Sequence, residues 1–139
     1  MKGCVSVSFN DTRPVVCYIE DNPADARLMA EALAQAERKS RLHVFPTPSE
    51  ASKVLIEDKS MTPDLILLDG GLIDPDSLEL LHRIRTAPDL WRVPVVMFTG
   101  FRDTTTDCEK LWDRWVQKPI DWQSYSETVT DILKLLPLN

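Results

Sequence analysis

Basic clusters, histidine and cysteine metal motifs, and apolar runs of membrane-spanning length are all missing from this chain of 139 residues. With no grouping of Lys or Arg and a net charge of −6, it lacks the basic face that phosphate neutralisation requires, which argues against a nucleic-acid partner. An acidic protein suits cations instead. The opening Met1-Lys2-Gly3-Cys4-Val5 has one lysine and too short an apolar stretch for a signal peptide. No window reaches the length of a membrane span, so no membrane partner is expected and the cytoplasm is the expected location. Cys4, Cys17 and Cys108 are odd in number and lack ligand spacing; all three read as reduced thiols, with Cys17 a small hydrophobe inside a strand. His43 and His82 stand far apart with no partner at zinc spacing, so they read as structural.

What is present is an ordinary globular composition, 43% hydrophobic and 27% charged, in a length that suits one domain. Residues 1–13 read as a loose tail ending at Arg13-Pro14, and 14–139 as the domain, without repeats or linkers. Val15 to Ile19 is a continuous apolar strand. Asn22-Pro23 then supplies a helix N-cap and a proline at the first helical position, and Leu28, Met29, Ala32, Leu33 and Ala36 share a face. Leu42 to Phe45 is a second strand, followed by the capping box Thr47-Pro48-Ser49-Glu50, which opens a helix to about Glu57. Leu65 to Leu68 is a third strand, with a helix from about Ser77 to Thr86 beyond a loop rich in Gly and Asp. Pro94 to Phe98 is a fourth strand, Thr104 to Trp112 a short helix, and Trp115-Val116 a brief fifth strand. A last helix places Tyr125, Val129, Ile132, Leu133 and Leu136 together. Five strand–helix units with right-handed crossovers predict an α/β fold, a five-stranded parallel sheet with helices on both faces.

The strands end on polar groups. The first runs into Glu20-Asp21, the third into Asp69, the fourth into Thr99-Gly100, and the fifth is followed by Lys118-Pro119. In open α/β sheets, ligands bind at those C-terminal ends. Singly, each group has a plainer role: the acid pair at a helix dipole, Asp69 and Thr99 in turns, Lys118 in solvent. Jointly they are complementary. Converging carboxylates repel unless a hard cation joins them, and Mg²⁺ takes a few oxygen ligands while keeping several waters. A hydroxyl and an ammonium beside it suit a phosphoryl group.

The acid pair, Asp69 after Leu-Ile-Leu-Leu, Thr99 after Val-Val-Met-Phe and Lys118-Pro119, in that order, resemble a response-regulator receiver domain of two-component signalling, a bacterial type, over nearly all of residues 14–139. The resemblance implies a flavodoxin-like (βα)5 fold with Asp69 as phosphoacceptor. It implies Mg²⁺ held by Asp21, Asp69 and the backbone carbonyl of Gly71, with Glu20 assisting through water. Thr99 and Lys118 would bind phosphoryl oxygens, and a cis Lys118-Pro119 peptide would aim the lysine inward. Such a protein is not a conventional enzyme; it catalyses its own phosphorylation and dephosphorylation at Asp69. Implied partners are a sensor histidine kinase or phosphotransfer protein, a downstream protein target, and a second copy in a homodimer. Residues 19–28 are also similar to stand-alone receivers that partner phytochrome-type kinases. No output domain is expected after the last helix.

The chain departs from that pattern in places. Ile73 stands for the usual proline after the phosphoacceptor loop and Ser77 for the usual glycine opening the third helix. The interval from Thr99 to Lys118 is about one helical turn short, so the fourth helix is expected to be short or displaced. Trp115 takes the place of a switching Tyr or Phe; with Trp112 it reads either as an apolar packing pair or as an altered switch and partner surface. Two other functions stay open: a phosphorylation-independent interaction module using that surface, and a phosphatase with Asp69 as nucleophile.

Overall fold

The computed structural model describes residues 11–69, 74–103 and 111–137. Five parallel strands form one sheet in the order β2-β1-β3-β4-β5: β1 is Val15–Ile19, β2 Arg41–Phe45, β3 Leu65–Leu68, β4 Val95–Thr99 and β5 Arg114–Gln117. Among the described residues the helices are α1 (Pro23–Gln35), α2 (Pro48–Ser52), α3 (Pro75–Thr86) and α4 (Trp122–Leu133). The strand–helix alternation and the parallel sheet expected from the sequence are both present.

β1, β3 and β4 are buried throughout, which is why they are apolar at every position instead of alternating. Their side chains divide by parity. Val16, Tyr18, Leu65, Leu67, Val96 and Phe98 pack with α1 and α4, whereas Val15, Cys17, Ile19, Ile66, Leu68, Val95 and Met97 pack on the other face. The chain leaves β1 for β2 on one side and returns to β3 on the other, so the topological switch point lies between β1 and β3.

Local signals set the helix starts. Asn22 Oδ1 accepts the N–H of Ala24, and Thr47 Oγ1 that of Glu50, at the two predicted caps. The third helix begins two residues before the predicted Ser77, because Asp74 caps it by accepting the Ser77 N–H at 2.8 Å and Pro75 takes the first position. The helix expected to run to about Glu57 is α-helical only to Ser52 and continues as a π-helix over Lys53–Asp58, closed by Lys59 in the left-handed region at φ 51°. Of the expected helix from Thr104 to Trp112, residues 104–110 lie outside the described residues, while Leu111 and Trp112 are buried and not helical.

Candidate functional site

Backbone ladder bonds continue one residue past the strands and place the site. The N–H of Glu20 donates to Phe45 O, that of Asp69 to Ile19 O, and that of Lys118 to Thr99 O. Glu20 and Asp69 thus stand side by side at the switch point, just beyond the paired residues Ile19 and Leu68. By alternation Glu20 continues the face of Tyr18, Asp69 that of Leu67 and Lys118 that of Val116, so all three side chains rise on one side of the sheet edge.

There they meet. Lys118 Nζ donates to Glu20 Oε1 at 2.8 Å, to Asp69 Oδ2 at 3.0 Å and to Asp25 Oδ2 at 3.2 Å. A cavity of about 560 Å³ opens over them, lined also by Asp21, Thr47, Asp74 and Ser77. Asp21 is exposed at its rim, and Thr99 is fully buried at the end of β4. The structure therefore brings together Glu20, Asp69 and Lys118, with Thr99 close enough to act on the Asp69 carboxyl. Gly71, expected to give a carbonyl, and Ile73 lie outside the described residues.

One expectation is corrected. The Lys118-Pro119 peptide is trans. Trans is the lower-energy isomer for an X-Pro bond. With its N–H anchored on Thr99 O, the four-carbon stem of Lys118 carries the ammonium to the acids without a cis bond.

Two participants were not singled out from the sequence. Asp25, in the first turn of α1, joins the cluster, although in a sequence such a residue reads as a partner of the helix dipole. Tyr18, fully buried, donates its hydroxyl to Glu20 Oε1 at 2.9 Å. Its place two residues before Glu20 on one strand is the signal that could have found it. Tyr125 adds a third buried ring beside Phe98, with centroids 5.5 Å apart, and its hydroxyl is buried without a hydrogen-bond partner.

The electrostatics divide the carboxyls. Burial, then the hydrogen bond to Asp69, pushes Glu20 above the usual carboxylate range, against the opposing pull of Lys118 and the Asn22 N–H. Burial also opposes ionisation of Asp69. There, hydrogen bonds from Glu20 and Lys118, the charge of Lys118 and the Thr99 hydroxyl outweigh it and hold Asp69 below its usual value. Burial disfavours the Lys118 ammonium too, yet its bonds to Glu20 and Asp69 and their charges hold its pKa above the usual lysine value. The two neighbouring carboxyls are thus shifted in opposite directions, Glu20 toward its protonated form and Asp69 toward its ionised one.

Glu20, Asp25 and Asp69 each offer a ligand oxygen, all within 4.8 Å of one another, a donor set that fits a hard divalent cation. Trp112 is 6% exposed and meets Trp115 edge-to-face at 5.6 Å, and the Trp115 indole N–H donates to Phe101 O at 2.8 Å. The two rings pack on each other.

Residues 16–129 match the family model of the response regulator receiver domain. The response regulator Rcp1 of Synechocystis sp. is 36% identical over 89 residues, 61% of this chain and 60% of that protein. The hybrid signal transduction histidine kinase D of Dictyostelium discoideum is 24% identical over 129 residues, 91% of this chain; the chain spans 8% of that protein. Among solved structures, the phosphorylated cyanobacterial phytochrome response regulator RcpA superposes with a TM-score of 0.71 at 27% identity, over 90% of this chain and 94% of that one. The Mn²⁺-bound form of Rcp1 gives 0.70 at 27% identity, over 90% and 99%. The match of the family model over most of the chain shows that this protein belongs to the response regulator receiver domain family of two-component signalling.

Proposed function

We propose that the protein takes a phosphoryl group from a phosphohistidine of a sensor kinase or phosphotransfer protein onto Asp69, and that the modification changes its contacts with a downstream protein. One observation carries this reading: the Asp69 carboxyl at the switch point of a parallel sheet, 3.0 Å from the half-buried ammonium of Lys118. In the transfer, an Asp69 carboxylate oxygen forms a bond to phosphorus while the phosphorus–nitrogen bond to the imidazole breaks, and the imidazole keeps the electron pair. Phosphoryl transfer asks the protein mainly for position and charge stabilisation. Lys118 supplies a fixed positive charge for phosphoryl oxygens, and Thr99 a hydroxyl donor. Glu20, Asp21 and Asp69, with the carbonyl of Gly71, are the groups that would hold Mg²⁺, which supplies neutralisation of negative charge when bound. A receiver structure of the relative Rcp1 with Mn²⁺ supports a divalent site of this kind. The likeness to Rcp1 and to the phytochrome response regulator RcpA favours a phytochrome-type kinase as phosphodonor.

The test is intact-protein mass spectrometry after incubation with acetyl phosphate, with and without Mg²⁺. A single Mg²⁺-dependent phosphoryl adduct, absent from Asp69→Asn, is the expected result. An adduct that survives in Asp69→Asn overturns Asp69 as acceptor.

A further inference from the structure

A lysine ammonium has three N–H donors, and in this protein three carboxylates take them. The group is also confined by two rings, with Nζ 5.9 Å from the centroid of Tyr18 and 5.8 Å from that of Phe98. A phosphoryl group on Asp69 therefore inherits one donor from Asp69 itself and gains a second from Lys118 only by displacing Glu20 or Asp25.

These differ in what else holds them. Glu20, with its side chain 1% exposed, is fixed independently by the Tyr18 hydroxyl at 2.9 Å and the Asn22 N–H at 3.1 Å. Asp69 is the acceptor, so its contact with Lys118 passes to the phosphoryl group it carries. Asp25 makes the longest contact, stands on α1 instead of a strand end, and is 35% exposed, so water is at hand to replace the ammonium. It is the partner that gives way at least cost.

We propose that Asp25 is a positioning residue acting through Lys118: its carboxylate occupies the third ammonium donor in the unmodified protein and competes for it with the incoming phosphoryl oxygens. This rests on the reading of Asp69 as phosphoacceptor and adds to it a control on how readily phosphate is taken up. The Asp25 charge also repels an anionic phosphodonor, so both effects have the same sign.

The experiment measures adduct formation from acetyl phosphate at saturating Mg²⁺ for wild type, Asp25→Ala and Asp25→Asn. In the reaction, acetate leaves with the electron pair of its oxygen–phosphorus bond as Asp69 bonds to phosphorus, and Lys118 keeps its protons. Asp25→Ala is expected to lower the half-saturating acetyl phosphate concentration about threefold, the factor expected on losing one partly exposed ion-pair competitor. Asp25→Asn, which keeps an acceptor oxygen without the charge, should fall between. Calorimetric titration of the Mg²⁺-loaded proteins with beryllofluoride, which mimics the phosphoryl group without transferring it, should show the same tightening. That gain should shrink when Lys118 is replaced by Met in both proteins, leaving only the part due to repulsion. An unchanged or raised half-saturation in Asp25→Ala, or an equal gain in the Lys118→Met pair, overturns the proposal while leaving Asp69 as acceptor. A wild type that takes no phosphate at Asp69 overturns the underlying reading and this one with it.

Discussion

The two ends of the sheet use the same residue types to opposite purpose. At the N-terminal end, Asp64 Oδ2 accepts the N–H of Val15 at 2.8 Å, and Asp113 Oδ2 accepts both the N–H of Val95 at 2.7 Å and the Arg85 guanidinium at 2.9 Å. Arg85 also donates to the carbonyls of Leu111, Trp91 and Val93. Each of these carboxylates completes a strand that lacks a neighbour's carbonyl at that point, and its charge or hydrogen-bonding capacity is used within the fold. At the C-terminal end, Glu20, Asp25 and Asp69 share the single ammonium of Lys118. Negative charge is left over there. A carboxylate tied to a backbone N–H holds the fold together, whereas carboxylates crowded on one cation leave room for an outside ligand.

Exchanging one residue at each end is the strongest way to break that contrast. Asp69→Asn should abolish the acetyl phosphate adduct, yet change stability to urea by less than about 1 kcal/mol, since losing a Lys118 partner is offset by relief of carboxylate crowding. Asp113→Ala should do the reverse, keeping the adduct while costing about 1–3 kcal/mol, because the Val95 N–H loses its acceptor and Arg85 its ion pair. If Asp69→Asn proved the more destabilising of the two, the division of labour would fail.

Alkali sharpens the contrast, because the groups that must change charge cluster at the site. Lys118 is held above its usual value although burial opposes its charge; Tyr18 is raised mainly by burial and then by Glu20; and burial pushes Tyr125 up to about 12. Each folded pKa exceeds the unfolded one, so above about pH 10 the unfolded chain releases protons that the folded protein keeps. Stability from these groups is then constant below that pH and falls above it, by up to about 1.4 kcal/mol per pH unit for each group. Buried Cys17, raised to about 12 by burial and then by the charge of Asp64, adds a decline of the same sign that begins nearer pH 9. Urea midpoints from pH 8 to 11 should show this fall, and Lys118→Met should make it shallower by about one proton. A stability that rises over that range would contradict the geometry.

The smallest expected effect concerns a position away from the site. Lys59→Gly should stabilise the protein by about 0.5 kcal/mol, since a residue with a Cβ is disfavoured in the left-handed conformation that closes the π-helix. The acetyl phosphate adduct should be unaffected.

The sheet was legible because β1, β3 and β4 are buried on both faces, and that condition writes itself as unbroken apolar runs. The caps at Asn22 and Thr47 were legible because their chemistry is local. Asp74-Pro75 carried the same signal two residues ahead of Ser77, hidden in a loop already rich in Asp. The change from α to π at Lys53 left no mark in composition, since it depends on packing and not on local propensity. At the site, residues at strand ends could be found by position along the chain. Asp25 could not, because its role follows from how α1 lies beside Lys118, a tertiary fact.

The hydrogen bond from the Trp115 indole to Phe101 O also has an optical consequence. Phe101 follows Thr99 by two residues, and its N–H is directed at the Thr99 hydroxyl at 3.4 Å. The emission of an indole depends on the dipoles around its N–H, so a shift of the backbone after Thr99 changes the wavelength at which Trp115 fluoresces. With the other three tryptophans replaced by Phe, the protein becomes its own luminescent gauge of that loop, with no attached dye.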